Sequence, residues 1–179
     1  MEFNEVVSGR RSIRKYKAGK AVTKEMVEEL LLTAQKAPSW KNSQTGRYYV
    51  VMSDEVLSRV KAECFAPYNQ KNSADAPVLI VTAFEKGNAG FEKDGTPTNE
   101  LGNMWGAYDL GLQNQTLMLK AYEMGLGTLV MGIRDSHKLR EILDIPDNYE
   151  IAPVLALGYS DIEPEMPKRK PLEEIAKFY

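Results

Sequence analysis

Residues 99–124 read NELGNMWGAYDLGLQNQTLMLKAYEM and form the longest helical pattern in the chain. At about 1.5 Å per residue, a helix of this length would span roughly 39 Å. Its apolar residues fall in two stripes, one made of Leu101, Met104, Trp105, Tyr108 and Leu112 and the other of Leu110, Leu117, Met118 and Ala121. A helix that is apolar on two faces is expected to be buried on both. A chain of 179 residues cannot easily bury so long a helix on all sides, so we predict that a partner subunit covers part of it.

Shorter helical and extended patterns surround this helix without regular alternation. Helices are predicted over 2–8, 24–36, 54–64 and 136–143, and strands over 47–52, 76–84, 128–132 and 151–159. Such an order favours an α+β sandwich over a doubly wound sheet. The length fits one domain spanning residues 1–179. The glycine- and proline-bearing loop 86–98 is long enough to act as a flexible lid over a substrate.

The composition is that of an ordinary soluble globular protein, with 43% hydrophobic and 27% charged residues. The formal net charge of −2 gives no global attraction to nucleic acid or to an anionic membrane. Cys64 is the only cysteine, which excludes an intramolecular disulfide. The N-terminus lacks a signal pattern, and the apolar run 76–84 is shorter than the roughly 20 residues that a bilayer requires. We therefore expect a cytoplasmic protein without a membrane or nucleic-acid partner.

Positive charge is concentrated near the N-terminus. Residues 1–47 contain ten Lys or Arg and five acidic residues, a net charge of +5 that leaves −7 for the remainder. The densest basic stretch is Arg10-Arg11-Ser12-Ile13-Arg14. Guanidinium groups bind phosphate through forked, charge-assisted hydrogen bonds, and a serine hydroxyl adds another. On spacing alone, an anion site and a solvated basic loop fit equally well, whereas nucleic-acid binding lacks a further basic stripe or aromatic platform.

No other motif supplies obvious catalytic chemistry. Residues 125–132 superficially resemble a dinucleotide fingerprint, but the third glycine is misplaced and the order runs from helix to strand. His137 is the only histidine, and Cys64 falls on an apolar helix face, so we expect no metal site and no Cys–His pair. The residues therefore indicate an anion-binding enzyme or binding module without a catalytic side chain. A protein that holds and tunes a cofactor can lack such groups.

Four segments, in the family's order, resemble the motifs of the FMN-dependent nitroreductase family. Residues 10–14 resemble its N-terminal Arg-Arg-Ser-x-Arg motif, and residues 37–44, APSWKNSQ, resemble its Ala-Pro-Ser-x-x-Asn-x-Gln loop. Residues 125–132, GLGTLVMG, resemble its Gly-Leu-Gly-Thr strand, and residues 169–172, RKPL, resemble its C-terminal basic motif. The resemblance extends over nearly the whole chain.

This resemblance implies a mixed, mainly antiparallel sheet flanked by helices, in an intertwined homodimer. FMN would sit at the subunit interface, so that both chains build each site. The apolar stripes of residues 99–124 predict a partner on independent grounds. The C-terminal segment, about 161–179, is expected to reach over the partner subunit.

The resemblance also assigns residues to the two ends of FMN. The phosphate would be bound by Arg10, Ser12 and Arg169, with Arg11 close by and Lys168 as a weaker candidate. Arg14 would lie near the pyrimidine edge of the isoalloxazine. A fixed positive charge there stabilises the anion that forms on reduction and raises the reduction potential.

Three further segments are implied to contact the isoalloxazine ring. They are Pro38, Ser39 and Asn42 from the partner subunit, Val130, Met131 and Gly132 on the strand beside the flavin, and Asn69 before the strand 76–84. A backbone N–H of the strand would lie near N5. The chain departs from the family at Thr45-Gly46, where Pro-Trp is frequent, and at Ile133, where a second glycine is frequent. Neither departure removes a charged contact.

The implied activity is a two-step oxidoreductase reaction. NADH or NADPH would give a hydride to FMN N5 and leave, and a nitroaromatic, quinone or similar acceptor would then be reduced in the same cleft, a ping-pong mechanism. One alternative is an FMN-binding sensor or storage protein without NAD(P)H turnover. A second alternative is nucleic-acid binding through residues 10–20, which steep salt dependence would reveal. The sequence does not identify the acceptor or the preferred nicotinamide.

Overall fold

Four antiparallel strands form the centre of the structure, a computed structural model that describes residues 1–179. They are β1 (Gly46–Val51), β2 (Val78–Glu85), β3 (Gly127–Met131) and β4 (Tyr149–Gly158), in the order β1-β2-β4-β3. The only parallel pairing is a bridge between Ser12 and Thr128. The expected α+β class with a mainly antiparallel sheet is therefore confirmed.

Seven α-helices surround this sheet. They are α1 (Phe3–Gly9), α2 (Lys24–Ala34), α3 (Asp54–Cys64), α4 (Pro67–Asn72), α5 (Met104–Glu123), α6 (Ser136–Leu143) and α7 (Leu172–Ile175). Helices α2 and α5 pack together on one face of the sheet, and α3 and α6 pack together on the other. None of the helices combines the length and apolar character needed to cross a membrane.

Strand β2 shows why the sheet needs helices on both faces. Val78 and Ile80 belong to the apolar core shared with α2 and α5, whereas Leu79 and Val81 belong to the core shared with α3 and α6. Successive side chains of a strand point to opposite faces, so an uninterrupted apolar run requires cover on both sides. Each fully buried side chain of this size contributes about 1.5–3 kcal/mol.

Helix α5 begins five residues later than the sequence pattern predicts. Asn99 Oδ1 accepts hydrogen bonds from the Leu101 N–H at 3.1 Å and the Trp105 Nε1–H at 2.9 Å, and Gly102 has a φ of +47°. These turns take the place of a first helical turn, so the predicted start at residue 99 is wrong. The remaining 20 residues span about 30 Å.

The two faces of α5 differ in burial. Leu117 and Ala121 are fully buried in the core shared with the sheet and α2, and Leu110 is buried as well. On the other side, Met104 is 57% exposed and Tyr108 is 58% exposed. The chain therefore covers only one of the two apolar faces, and cover of the other by a partner subunit stays a prediction.

The short helix α4 (Pro67–Asn72) has no counterpart in the sequence pattern. Its six residues, PYNQKN, lack an apolar repeat, and Pro67 at the first helical position is the only local signal. The helix nevertheless buries the side chains of Asn69 and Asn72. Elsewhere α3 is confirmed residue for residue, and the Thr23 hydroxyl accepts from the Met26 N–H as an N-cap of α2.

Residues 161–179 leave most of their apolar side chains uncovered. Leu172, Ile175 and Phe178 are exposed by 56%, 69% and 87%. Helix α7 has no buried residue. This segment therefore contributes little to the chain's own core.

Candidate functional site

The basic segment 10–14 lies against the beginning of β3. The Ile13 N–H donates to the Thr128 carbonyl at 2.9 Å, and Ser12 forms the parallel bridge to Thr128. Ile13 is buried beside Gly127, where a Cβ would stand only 2.5 Å from the Ile13 Cγ1 atom. Glycine at 127 therefore allows the segment to approach the strand, while the Arg14 side chain remains exposed.

Three arginines converge at one end of this segment. The pKa of Arg10 is lowered by burial and then by the positive charges of Arg11 and Arg169, so the C-terminal segment brings Arg169 to the N-terminal cluster. None of Arg10, Arg11, Arg14 and Arg169 forms an ion pair with a carboxylate. Like charges held together without an ion-paired carboxylate favour the binding of an anion.

The arginines satisfy only part of their hydrogen-bonding capacity. Arg11 donates from one terminal nitrogen to the carbonyls of Ser8 and Arg10, at 2.7 and 2.8 Å, and its buried Nε–H has no partner. Arg169 donates to the Pro167 carbonyl at 2.9 Å. A guanidinium carries five N–H donors, so most of the donors remain free for a ligand.

A cavity of about 460 Å³ adjoins these arginines. Arg10 and Arg11 line it from the N-terminal segment, together with Tyr122 at the end of α5 and the turn 125–128. Ser160, Ile162, Glu163 and Pro164 also line it, so one carboxylate borders the same cavity without pairing with an arginine. The cavity leaves room for a group larger than a single ion beside the converging charges.

A second cluster lies around Arg14, at the other end of the segment. The Tyr68 hydroxyl lies close to the side chains of Asn72 and Arg14, which lower the pKa of the phenol. Asn69 Nδ2 donates to the Ile133 carbonyl at 2.8 Å, which ties α4 to the residues after β3. Asn72 is more than nine-tenths buried, yet its Nδ2 completes no hydrogen bond within the chain.

Asn72 and Tyr68 were missed at the sequence level. The spacing Asn69-x-x-Asn72 would have placed both amides on one helix face, had α4 itself been recognised. An unpaired buried amide costs about 1–3 kcal/mol, which is regained if a ligand oxygen accepts from it. Asn72 therefore supplies a free donor at this end of the site.

Buried and exposed side chains alternate with backbone at the end of β3. Val130 is 45% exposed, and a Cβ at Gly132 would meet no atom within 4 Å. The Met131 side chain is buried in the core, so only its backbone can face a ligand. Ile133, which replaces the family's second glycine, is 71% exposed.

The loop 38–44 is held in an unusual backbone conformation. Lys41, Asn42 and Gln44 all have positive φ values, of 45°, 56° and 48°. Such conformations cost of order 1–3 kcal/mol each in non-glycine residues. The Trp40 N–H donates to Asp109 Oδ2 at 2.8 Å, and the Trp40 ring packs on Trp105 at 4.7 Å between centroids.

The loop 86–98 is folded against the loop 38–44. Lys41 Nζ lies 3.5 Å from a carboxylate oxygen of Glu92, and Gly90 packs tightly against Trp105. The Gly87 N–H donates to Asn103 Oδ1 at 2.7 Å, and Phe91 and Pro97 form a bridge. Its role as a lid stays a prediction.

One chain does not bring the loop 38–44 to the arginines. The loop contacts Asp109, whereas Gly9, next to Arg10, packs on Tyr122. These two positions of α5 are separated by about 20 Å of helix. Pro38, Ser39 and Asn42 thus lie at the opposite end of α5 from Arg10.

Cys64 and His137 lie where the sequence predicts, one in the core and one at the surface. The Cys64 thiol is buried in the core, and burial raises its pKa to about 11. His137 is exposed in the first turn of α6. Lys168 is exposed in the C-terminal segment.

A model described as "Nitroreductase family" matches residues 7–67 and 59–159, most of the chain. The chain belongs to the nitroreductase family. The predicted family is therefore confirmed, and three of the four motifs lie within the matched residues. This nitroreductase is 27% identical to YdgI of Bacillus subtilis, with 99% of this chain and 97% of YdgI covered. YdgI carries the name NAD(P)H nitroreductase.

Solved structures support the same fold. A nitroreductase family protein from Clostridium difficile 630 superposes with a TM-score of 0.80 at 29% identity, covering 99% of this chain and 98% of that one. An Exiguobacterium sibiricum protein crystallised in complex with FMN superposes with a TM-score of 0.89 at 24% identity, covering 100% and 98%. The nitroreductase fold of this chain is thereby established, and its family identifies it as an oxidoreductase.

The anchor of the loop 38–44 can be tested through Asp109. Burial raises the pKa of Asp109 more than the Trp40 N–H lowers it, so ionisation opposes folding. Stability should fall as pH rises from the ordinary carboxyl pKa of about 3.9 through the raised value. Asp109→Asn keeps an acceptor for Trp40 and should remove this decline, whereas Asp109→Ala should cost about 1–3 kcal/mol. Urea unfolding as a function of pH measures both, and equal losses in the two variants would contradict the anchor.

Proposed function

We propose that this chain is an FMN-dependent oxidoreductase that transfers a hydride from NADH or NADPH to a nitroaromatic, quinone or similar acceptor. The observation that carries the proposal is that Arg11 and Arg169 both lie near enough to Arg10 to lower its pKa, while none of the three forms an ion pair with a carboxylate. The shared fold of the FMN-bound Exiguobacterium protein and the name of YdgI support it.

The phosphate of FMN fits the charge and the donor geometry of the arginine cluster. A phosphate monoester carries close to two negative charges and three acceptor oxygens, which match forked guanidinium donors. Arg10 and Arg169 would bind it, with the Ser12 hydroxyl adding a further bond. Arg11 lines the adjoining cavity, and Lys168 is a weaker candidate.

The other end of the site fits the isoalloxazine ring of FMN, because it offers a hydrogen-bond donor that has no partner within the chain. The isoalloxazine pyrimidine edge carries carbonyl and nitrogen acceptors, and Asn72 Nδ2 is a buried donor without a partner. Arg14 would add a positive charge there, and Asn69 would orient the turn at Ile133. Val130, Met131 and Gly132 would line the ring, with Met131 contributing backbone only.

When bound, FMN would supply the redox chemistry, accepting a hydride at N5 and giving it to the acceptor in the same cleft by a ping-pong mechanism. The chain's own residues bind and orient the cofactor. The positive charge of Arg14 stabilises negative charge at the pyrimidine edge. The small Gly132 leaves the ring face open to a nicotinamide or an acceptor.

We further propose that a second copy completes each site. Pro38, Ser39 and Asn42 lie about 20 Å of helix from the arginines of their own chain. The exposed face of α5 and the segment 161–179 carry the apolar surface that such a copy would cover. The segment would then reach over the second copy while Arg169 stays with Arg10.

The function is tested by purification and anaerobic mixing. The protein should take up FMN and turn yellow, NADH or NADPH should bleach the flavin absorbance, and a quinone or nitroaromatic should restore it. Failure to take up FMN would contradict the whole proposal. Stable FMN binding without reduction by either nicotinamide would instead indicate a sensor or storage protein.

The phosphate assignment predicts a specific loss of flavin affinity. Arg10→Ala and Arg169→Ala should each lower FMN affinity by about 30-fold, the equivalent of about 2 kcal/mol for a hydrogen bond to a charged group. Lys170→Ala is the matched control, because Lys170 lies in the same segment but pairs with Glu174 at 3.4 Å. Fluorescence titration with FMN measures the affinities. Equal losses in all three variants would rule out the assignment.

The shared site predicts recovery in mixed dimers. One variant carries Arg10→Ala with Arg169→Ala, and the other carries Ser39→Ala with Asn42→Ala. Random reassortment should restore about one quarter of the sites, because half of the dimers are mixed and each has one intact site. FMN bound after co-expression measures this recovery. If the mixture binds no more than its separate parents, each chain builds its site alone.

A further inference from the structure

The cavity beside the arginine cluster extends the site beyond its phosphate end. Its volume of about 460 Å³ lies within the range of about 300–1,000 Å³ that pockets for small organic ligands occupy. A single phosphate group fills only a small part of such a space. The cavity is lined by Thr128 but by none of Arg14, Asn69, Asn72 or the residues 130–132, so it is separate from the ring end. It therefore offers room for a second group attached to the flavin phosphate.

Arg11 presents a positioned phosphate donor to this cavity. One of its terminal nitrogens donates to the carbonyls of Ser8 and Arg10 at 2.7 and 2.8 Å, which holds the guanidinium in place. The other terminal nitrogen makes no hydrogen bond within the chain. Such a donor binds a phosphate oxygen through a charge-assisted hydrogen bond. Since Arg10 and Arg169 suffice for the flavin phosphate, Arg11 is available for another.

The rest of the cavity wall matches a nucleoside. The Tyr122 ring lies against the backbone of Gly9, where a Cβ would overlap the phenol, and Leu126 and Ile162 add apolar surface. Bases stack on aromatic side chains of this kind. Glu163 is exposed at the cavity and forms no ion pair, so its carboxylate is free to accept hydrogen bonds. Acidic side chains accept from ribose hydroxyls in dinucleotide sites.

We propose that this cavity binds the adenylate half of FAD, so that the chain accepts FAD as well as FMN. Arg10 and Arg169 hold the flavin phosphate, and Arg11 binds the second phosphate. Tyr122 stacks on the adenine, and Glu163 accepts from the ribose. This inference rests on the function proposed above and widens its cofactor from a mononucleotide to a dinucleotide.

FAD presents less charge than FMN to the arginines at the flavin phosphate. The phosphate monoester of FMN carries close to two negative charges, whereas each phosphate of the FAD pyrophosphate carries one. Arg10 and Arg169 alone would therefore bind FAD more weakly than FMN. Contacts from Arg11, Tyr122 and Glu163 offset that loss, so we expect the wild type to bind FAD within tenfold of its affinity for FMN. A weaker affinity for FAD would overturn the inference.

Exchange of bound FMN for FAD at equilibrium measures the ratio of the two affinities directly. The FMN-loaded protein is incubated with both flavins, and the bound flavins are separated by chromatography. Tyr122→Leu removes the stacking surface and should shift the ratio against FAD by about tenfold. Tyr108→Leu is the matched control, because Tyr108 lies on the same helix and does not line the cavity. An equal ratio in the two variants would exclude adenine stacking on Tyr122 and overturn the inference.

Glu163→Ala supplies a second measurement that is independent of packing. Glu163 is exposed and unpaired, so the substitution leaves the core intact. Loss of the ribose contact should shift the ratio against FAD by about fivefold. Because both flavins share the phosphate site, any change in its charge cancels in the ratio to first order. An unchanged ratio in Glu163→Ala would overturn the inference, even if Tyr122→Leu proved unable to fold.

NADH also carries an adenylate half, and one further assay separates the two sources. If the cavity bound NADH instead, Tyr122→Leu would raise the KM for NADH in the FMN-loaded enzyme and leave the flavin ratio unchanged, which would overturn the inference. If the wild type takes up neither flavin, the proposed function itself is wrong. If it takes up FMN and oxidises NADH or NADPH but excludes FAD, only the role of the cavity is wrong.

Discussion

The placement of Arg10, Ser12 and Arg14 depends on the hydrogen bond between the Ile13 N–H and the Thr128 carbonyl. This bond fixes the basic segment beside β3, and Gly127 makes the close approach possible. Arg10 then lies at one end with the C-terminal Arg169, and Arg14 lies at the other end with α4. This one backbone contact thus holds residues 10–14 in place, and the segment contributes to both ends of the site.

The unpaired arginines show how the chain prepares for an anion. Folding brings Arg10, Arg11 and Arg169 together, and their mutual repulsion opposes the structure without a ligand. No carboxylate of the remaining chain forms an ion pair with any of the three. An anion that binds the cluster therefore also stabilises the fold, because it binds the folded chain and not the unfolded one.

Sequence patterns predicted the parts of the fold that burial dictates. Helix α3 and the buried strands follow apolar periodicity, which local sequence records directly. The start of α5 was missed because Asn99 caps turns through its side chain, and α4 was missed because six polar residues carry no periodic signal. Because α4 was not recognised, Asn72 and Tyr68 were not identified from the sequence. The approach of Arg169 to Arg10 required family resemblance, since no local pattern records a contact across the whole chain.

The strained loop 38–44 has a consequence for cofactor retention under the proposed arrangement. Its shape is maintained by Asp109 and Trp105 of its own chain, but its Pro38, Ser39 and Asn42 would contact flavin held by the other. Flavin binding and subunit association are then thermodynamically linked, so each strengthens the other. On dilution, separation of the subunits would release the flavin, and the apparent affinity for FMN would depend on the concentration of the protein itself.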